Sequence, residues 1–201
     1  MTTPRRGSPL AVTVLAMLQY KPLHPYGIQR LIKQWGKDKV VNVGQRTSLH
    51  RTIDRLAADG LISVRETERD QAYPERTVYQ ITEAGRSAAR EWLLEMVARP
   101  KPEFPEFPAA LSHLLMLAPQ EIRDALERRM EAVGRALAEL DADLEAEAGS
   151  GLPRIAMLEA EYLRAVTAAE LGWLRSVTDD LRSGELAWSA EDLMAFAEAA
   201  D

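Results

Sequence analysis

Four prolines, at positions 100, 102, 105 and 108, stand near the middle of this 201-residue chain. Each lacks a backbone donor and steers the residue before it away from helical geometry, so the stretch cannot lie inside one continuous helix or sheet. A break of this kind predicts two folded parts on an extended connector. The expected boundaries are 8–98 for the first part, 99–108 for the connector and 109–201 for the second. Charge divides at the same place. Residues 1–99 hold 16 Lys and Arg against 10 Asp and Glu, whereas residues 100–201 hold 9 against 21. The net charge of −6 therefore conceals a basic first half suited to phosphate contact.

Several kinds of chemistry are disfavoured at once. The chain has no cysteine, which removes disulfides and thiolate metal sites. His24, His50 and His113 have no partners at metal-ligand spacing, so neither a metal nor a cofactor is expected. No Gly-rich phosphate loop or Gly-x-Ser-x-Gly elbow occurs, and no enzyme is expected. Residues Met1–Ser8 lead into no apolar signal core, and charges interrupt every other apolar run well before ~20 residues. A cytoplasmic chain with no membrane partner is the expectation.

Hydrophobic periodicity sets out the first part. Ser8 followed by Pro9 is a cap and a first-turn proline, and Leu10, Val14, Leu15 and Leu18 give a helix to about Tyr20. A second helix runs from Pro25 to about Trp35 on Ile28, Leu31, Ile32 and Trp35. A third spans about Gln45 to Asp59 and is stopped by Gly60. Leu61–Thr67 and Arg76–Ile81 read as strands around a loop, and Thr82 caps a fourth helix. Three helices and a two-stranded hairpin make a winged helix-turn-helix. The fold class is thus mainly α with a small β-hairpin, an N-terminal winged helix-turn-helix followed by an all-α dimerisation arm.

The third helix of this part carries the functional argument. At 100° per residue Leu49, Ile53 and Leu56 form a buried stripe, and Thr47 and Arg51 lie opposite. His50 and Asp54 occupy one shoulder and Arg55 the other, with Arg46 and Ser48 in the first turn. Arginine and small hydroxyl side chains in the first turns of such a helix suit base edges in a major groove. The hairpin loop, with Tyr73 and Arg76, suits a phosphate backbone or a minor groove. The expected DNA-facing set comprises Tyr26, Arg46, Thr47, Ser48, His50, Arg51, Arg55, Tyr73 and Arg76.

Three segments in order, LAVTVLAMLQYKPLHPYGIQRLI, SLHRTIDRLAADGLI and YPERTVYQITEAGRSAAREW, resemble the PadR family of bacterial transcription regulators. The resemblance spans Leu10 to Trp92 and implies a sequence-specific DNA-binding regulator, expected to act as a repressor. Two departures stand out. The family usually has His-Gly-Tyr where this chain has His24-Pro25-Tyr26, and Leu-Tyr-Pro where it has Leu49-His50-Arg51. His50 thus replaces the tyrosine thought to approach DNA.

Beyond the connector every segment reads as helix: about Pro108 to Ala118, Pro119 to about Ala148, and Pro153 to Arg182, with Ser189 capping a terminal helix. Leu126, Met130, Val133, Leu137, Leu140 and Leu144 form a heptad seam. Ile155, Leu158, Tyr162, Ala165, Ala169, Trp173 and Val177 mark a matching face on the next helix. The two pack as an antiparallel hairpin, and some of this surface is expected to meet a second copy. The dimerisation set is Leu126, Met130, Val133, Leu137, Tyr162, Ala169 and Trp173. This half is similar to the longer PadR subgroup in pattern and length, which implies a homodimer on a palindrome-like operator, its recognition helices about one DNA turn, ~34 Å, apart. The resemblance also implies a small aromatic or amphipathic effector near the junction of the two parts, with Trp92, Phe107, Met116 and Trp173 as candidate lining. The alternative reading is a protein–protein adaptor that uses the winged domain and the arm as a scaffold.

Overall fold

The computed structural model describes residues 7–43, 46–68 and 76–188. Of residues 46, 67, 68 and 76 only the backbone is described. The chain forms two compact units that meet in sequence at Glu103 and Phe104.

In the first unit, helix α1 (Pro9–Tyr20) starts as its sequence dictates, with the Ser8 hydroxyl accepting from the Ala11 N–H at 3.2 Å. Helix α2 (Pro25–Gln34) uses the His24 ring instead, whose Nδ1 accepts from the Gly27 N–H at 3.0 Å. Helix α3 (Arg46–Ala58) ends before Gly60, whose φ of 70° is the left-handed turn that lets the chain leave a helix. Strands β1 (Ile62–Glu68) and β2 (Arg76–Ile81) pair antiparallel, with Ile62 opposite Ile81 and a bulge between Val64 and Glu66. Leu23 and Tyr79 exchange two backbone hydrogen bonds of 3.0 Å, so the α1–α2 turn adds a one-residue bridge to β2.

Helix α4 (Glu83–Ala98) begins at a crowded junction. The Thr82 Oγ1 accepts from the Gly85 N–H at 3.0 Å and donates towards the carbonyls of Gly60 and Leu61, at 2.8 and 3.0 Å. The Thr82 N–H also donates to the Leu61 carbonyl at 3.1 Å. One threonine therefore ties the exit of α3, the entry of β1 and the start of α4. The core of this unit draws on α1 (Ala11, Val14, Leu15, Leu18), α2 (Ile28, Ile32), α3 (Leu49, Ile53, Leu56) and the strands (Ile62, Ile81).

The second unit consists of α5 (Glu106–Leu111), α6 (Pro119–Gly149) and α7 (Leu158–Ser183). Two expectations are corrected here. The helix expected over 108–118 is only α5, followed by a 3₁₀ turn at Leu114–Met116. Pro108 sits in the first turn of α5, where its missing N–H costs nothing, so the connector ends at Pro105. Pro119 holds Ala118 extended, at ψ 150°, which prevents a continuous helix into α6. Likewise the helix expected from Pro153 opens with a 3₁₀ turn at Arg154–Ala156, and α7 proper begins at Leu158. The terminal helix expected after Ser189 lies outside the described residues.

Helices α6 and α7 pair as a hairpin. Glu127 meets Arg182 at 2.8 Å and Arg129 meets Glu170 at 2.6 Å, and Asp141 pairs with Arg164, so the partners run in opposite order along the two helices. The hairpin core is Ile122, Leu126 and Leu174, with Phe107, Leu114, Met130, Val133, Val177 and Leu181 packed around it.

The stripe expected to line α7 on its hairpin side is displaced. The inward residues are Leu171, Leu174 and Thr178, whereas Ile155, Leu158, Tyr162, Ala165, Ala169 and Trp173 are exposed. Helix α7 carries two apolar faces, and the hairpin covers one of them.

Candidate nucleic-acid interface

The buried face of α3 is set by Leu49, Ile53 and Leu56, each at most 2% exposed, which locks the helix in rotation. Thr52 is buried beside them, and its hydroxyl satisfies itself by donating to the Ser48 carbonyl at 2.9 Å. What remains outward is fixed by that lock. Thr47, His50, Arg51 and Asp54 are exposed, and Ser48 and Arg55 are half-buried. Thr47, Ser48, Arg51, Thr52 and Arg55 line one shallow open groove of about 320 Å³ along the helix. No ion pair involving Arg51 or Arg55 occurs among the described side chains, so neither guanidinium is spent on a carboxylate there. This is a cationic, hydroxyl-rich surface with its fork-shaped donors available, as bidentate recognition of base edges or phosphates requires.

Tyr26, at the start of α2, is 62% exposed and lies parallel to the His24 ring, with centroids 6.1 Å apart. The side chains of Arg46 and Arg76 and the whole of Tyr73 lie outside the described residues. Thus the structure groups Thr47, Ser48, Arg51 and Arg55 on a single groove, with His50 on the same helix and Tyr26 on the neighbouring one.

Asp54 reaches the strands electrostatically. Burial, and secondarily the Asp54 carboxylate, push the Tyr79 hydroxyl above its ordinary value of 10.0. A raised value in the folded state stabilises the fold below the unfolded value, and that contribution is lost as pH rises through the folded one. The unit is therefore expected to lose stability more steeply than its Tyr79→Phe variant as pH rises past 10.0. Thermal unfolding on either side of that pH checks this. Identical slopes would mean that the phenol is not destabilised by ionisation.

Of the residues suggested for an effector, Trp92 packs against the core of the first unit. Phe107 and Trp173 meet edge to face in the second, 6.0 Å between centroids. Arg129 lies 3.5 Å above the Phe107 ring and is held there by Glu170. Met116 is 84% exposed. Sequence reasoning missed Arg129, whose partners lie 22 residues before it and 41 after it, beyond the reach of any local pattern.

Residues 14–91 match the family described as transcriptional regulator PadR-like. These residues form a PadR-like domain. No curated protein matches the sequence significantly. Among solved structures, Bacillus subtilis PadR in complex with operator DNA is similar in fold, with a TM-score of 0.73 and 18% identity over 87% of this chain and 99% of that one. The same regulator in complex with p-coumaric acid gives a TM-score of 0.69, 18% identity and coverage of 86% and 98%. The virulence activator AphA of Vibrio cholerae gives 0.64, 22% identity and coverage of 87% and 98%. The PadR-like domain ends seven residues before the end of α4, so the α6–α7 hairpin lies outside the matched segment. Among the described residues no helix is long and apolar enough to cross a membrane, and no group of three His, Asp or Glu is placed to hold a metal ion.

Proposed function

We propose that this PadR-like chain is a homodimeric repressor that reads a palindrome-like operator with α3. The observation that carries the reading is the α3 groove, where Thr47, Ser48, Arg51 and Arg55 line one face of a helix whose other face is locked in the core. Arg51 and His50 contact bases, Thr47, Ser48 and Arg55 contact bases or phosphates, and Tyr26, Arg46, Tyr73 and Arg76 hold the flanking backbone. The similarity to a regulator crystallised with operator DNA supports this assignment.

Two copies pair through α7. Leu126, Met130 and Val133 are engaged inside the hairpin core, so the pairing surface is the exposed stripe that contains Tyr162, Ala169 and Trp173. Leu137 is half-buried on α6. A small aromatic or amphipathic effector releases the operator. Support comes from the similar regulator crystallised with p-coumaric acid and from the Phe107–Trp173 pair beside Arg129, which suits an aromatic anion.

The deciding experiment selects bound sequences from a random duplex pool and titrates the recovered site against parent and Arg51→Ala. An inverted repeat with half-sites about one turn, ~34 Å, apart is expected. Arg51→Ala should lose about 1–3 kcal/mol of specific affinity. Equal affinity for parent and variant would remove α3 from the reading role, and recovery of no preferred sequence would remove sequence-specific recognition altogether.

A further inference from the structure

The chain between α2 and α3 is held more firmly than a connecting loop requires. Val41 and Val43 are 6% and 2% exposed, while Asn42 between them faces solvent. The Gln29 side-chain amide donates to the Val43 carbonyl at 3.1 Å, bonding the segment back to α2. A left-handed Gly36 at φ 65° opens a 3₁₀ turn, Lys37–Lys39, that precedes this pinned stretch. Asn42 is thus held between two buried valines, and Lys39 closes the turn that leads into them.

They border a groove of about 470 Å³, open to solvent and lined by Lys33, Asp38, Lys39, Asn42 and the flanking valines. Lys37 stands on the same turn, so lysines outnumber carboxylates three to one along this segment. Lys33 alone has a simpler account, since a cation at the end of α2 favours the helix dipole. Lys39 closes the 3₁₀ turn and Asn42 lies beyond it, so the dipole of α2 reaches neither. Ammonium groups beside an amide N–H form a donor set for a singly charged, oxygen-rich anion, and a phosphodiester is such a group.

Position decides which phosphodiester. Val43 is four residues before Thr47, a span of at most ~14 Å even if fully extended. Phosphates recur every ~3.4 Å of helix axis on each strand. A duplex engaged by Thr47 and Arg51 therefore brings its backbone within reach of this groove.

We propose that Lys33, Lys39 and Asn42 form a phosphate clamp that grips the DNA backbone beside the bases read by α3. The clamp rests on the DNA-reading role of α3. It sets register and adds affinity, and it carries no sequence preference of its own.

The test uses the full chain, a duplex recovered by selection and a scrambled duplex of equal length, each titrated across a series of KCl concentrations. For Lys33→Gln/Lys39→Gln the slope of log affinity against log salt should fall by about one unit per lysine engaged. Both duplexes should weaken by the same factor, and Lys33→Arg/Lys39→Arg should restore the parental slope. A double Gln variant with the parental slope overturns the clamp while leaving α3 recognition intact. Weakening confined to the selected duplex also overturns it, because backbone contacts cannot discriminate sequence. A parent with no salt-dependent binding to either duplex would overturn the DNA reading and the clamp together.

Discussion

The Tyr162→Glu/Ala169→Glu chain is expected to run as a folded monomer and to bind its operator about 10²–10⁴-fold more weakly than the parent. The loss arises from linkage. A dimer delivers its second recognition helix at an effective concentration in the millimolar range, and a monomer has to capture each half-site separately. The substitutions are placed to separate assembly from folding. Tyr162 is 69% exposed, and neither position belongs to the Ile122, Leu126 and Leu174 core that closes the hairpin. In a pairing of two identical faces each new carboxylate is desolvated and lies near its symmetry mate, which opposes association twice over. Sedimentation against concentration and far-UV circular dichroism provide the check. A variant that keeps its helix content and still dimerises would show that the α7 stripe is not the interface.

Gly85→Ala is expected to cost the first unit about 3 kcal/mol or more, at the upper end of overpacking penalties. A Cβ at that position would lie 2.0 Å from the carbonyl oxygen of Leu61 and 2.9 Å from the Ile81 side chain. The first clash is with backbone, which no rotamer change relieves. Retreat would break the Thr82 N–H bond to that same oxygen and loosen the entry of β1. A fall of roughly 10–20 °C in the thermal midpoint of this unit corresponds to that loss. Gly134→Ala in α6 is the matched control. Nothing lies within 4 Å of its added Cβ, so the usual preference of a helix for alanine should leave stability unchanged or raised by up to ~1 kcal/mol. If the two substitutions behave alike, steric approach at Leu61 is not what requires glycine at position 85.

Much of the first unit was legible because its signals are local. Ser8 and Thr82 act as caps by accepting from N–H groups only three residues on, and Leu49, Ile53 and Leu56 mark the α3 core by spacing alone. The Thr82-x-x-Gly85 spacing is equally local, yet its reason is not: Leu61 is brought there by tertiary folding. The second unit was less readable. Helix α7 offers Tyr162, Ala169 and Trp173 on one side and Leu171, Leu174 and Leu181 on the other. Periodicity reports that both are apolar and cannot say which one faces α6. That choice follows from matching α7 to the row Ile122, Leu126 and Met130, a fact about two helices together. In the candidate interface the face of α3 was readable for the same reason as its core. The pinned Val41–Val43 segment went unread. Its alternation of valine, asparagine and valine is too short to distinguish from coil.

The knot tied by Thr82 has a further consequence for how such a unit can diversify. Its hydroxyl joins the exit of α3, the entry of β1 and the start of α4, and Gly85 seals the same junction. None of Thr47, Ser48, His50, Arg51 or Arg55 takes part in it. Scaffold and outward face are thus carried by separate residues, and under the proposed reading the outward side chains of α3 can be rewritten for a new operator without renegotiating the frame that presents them.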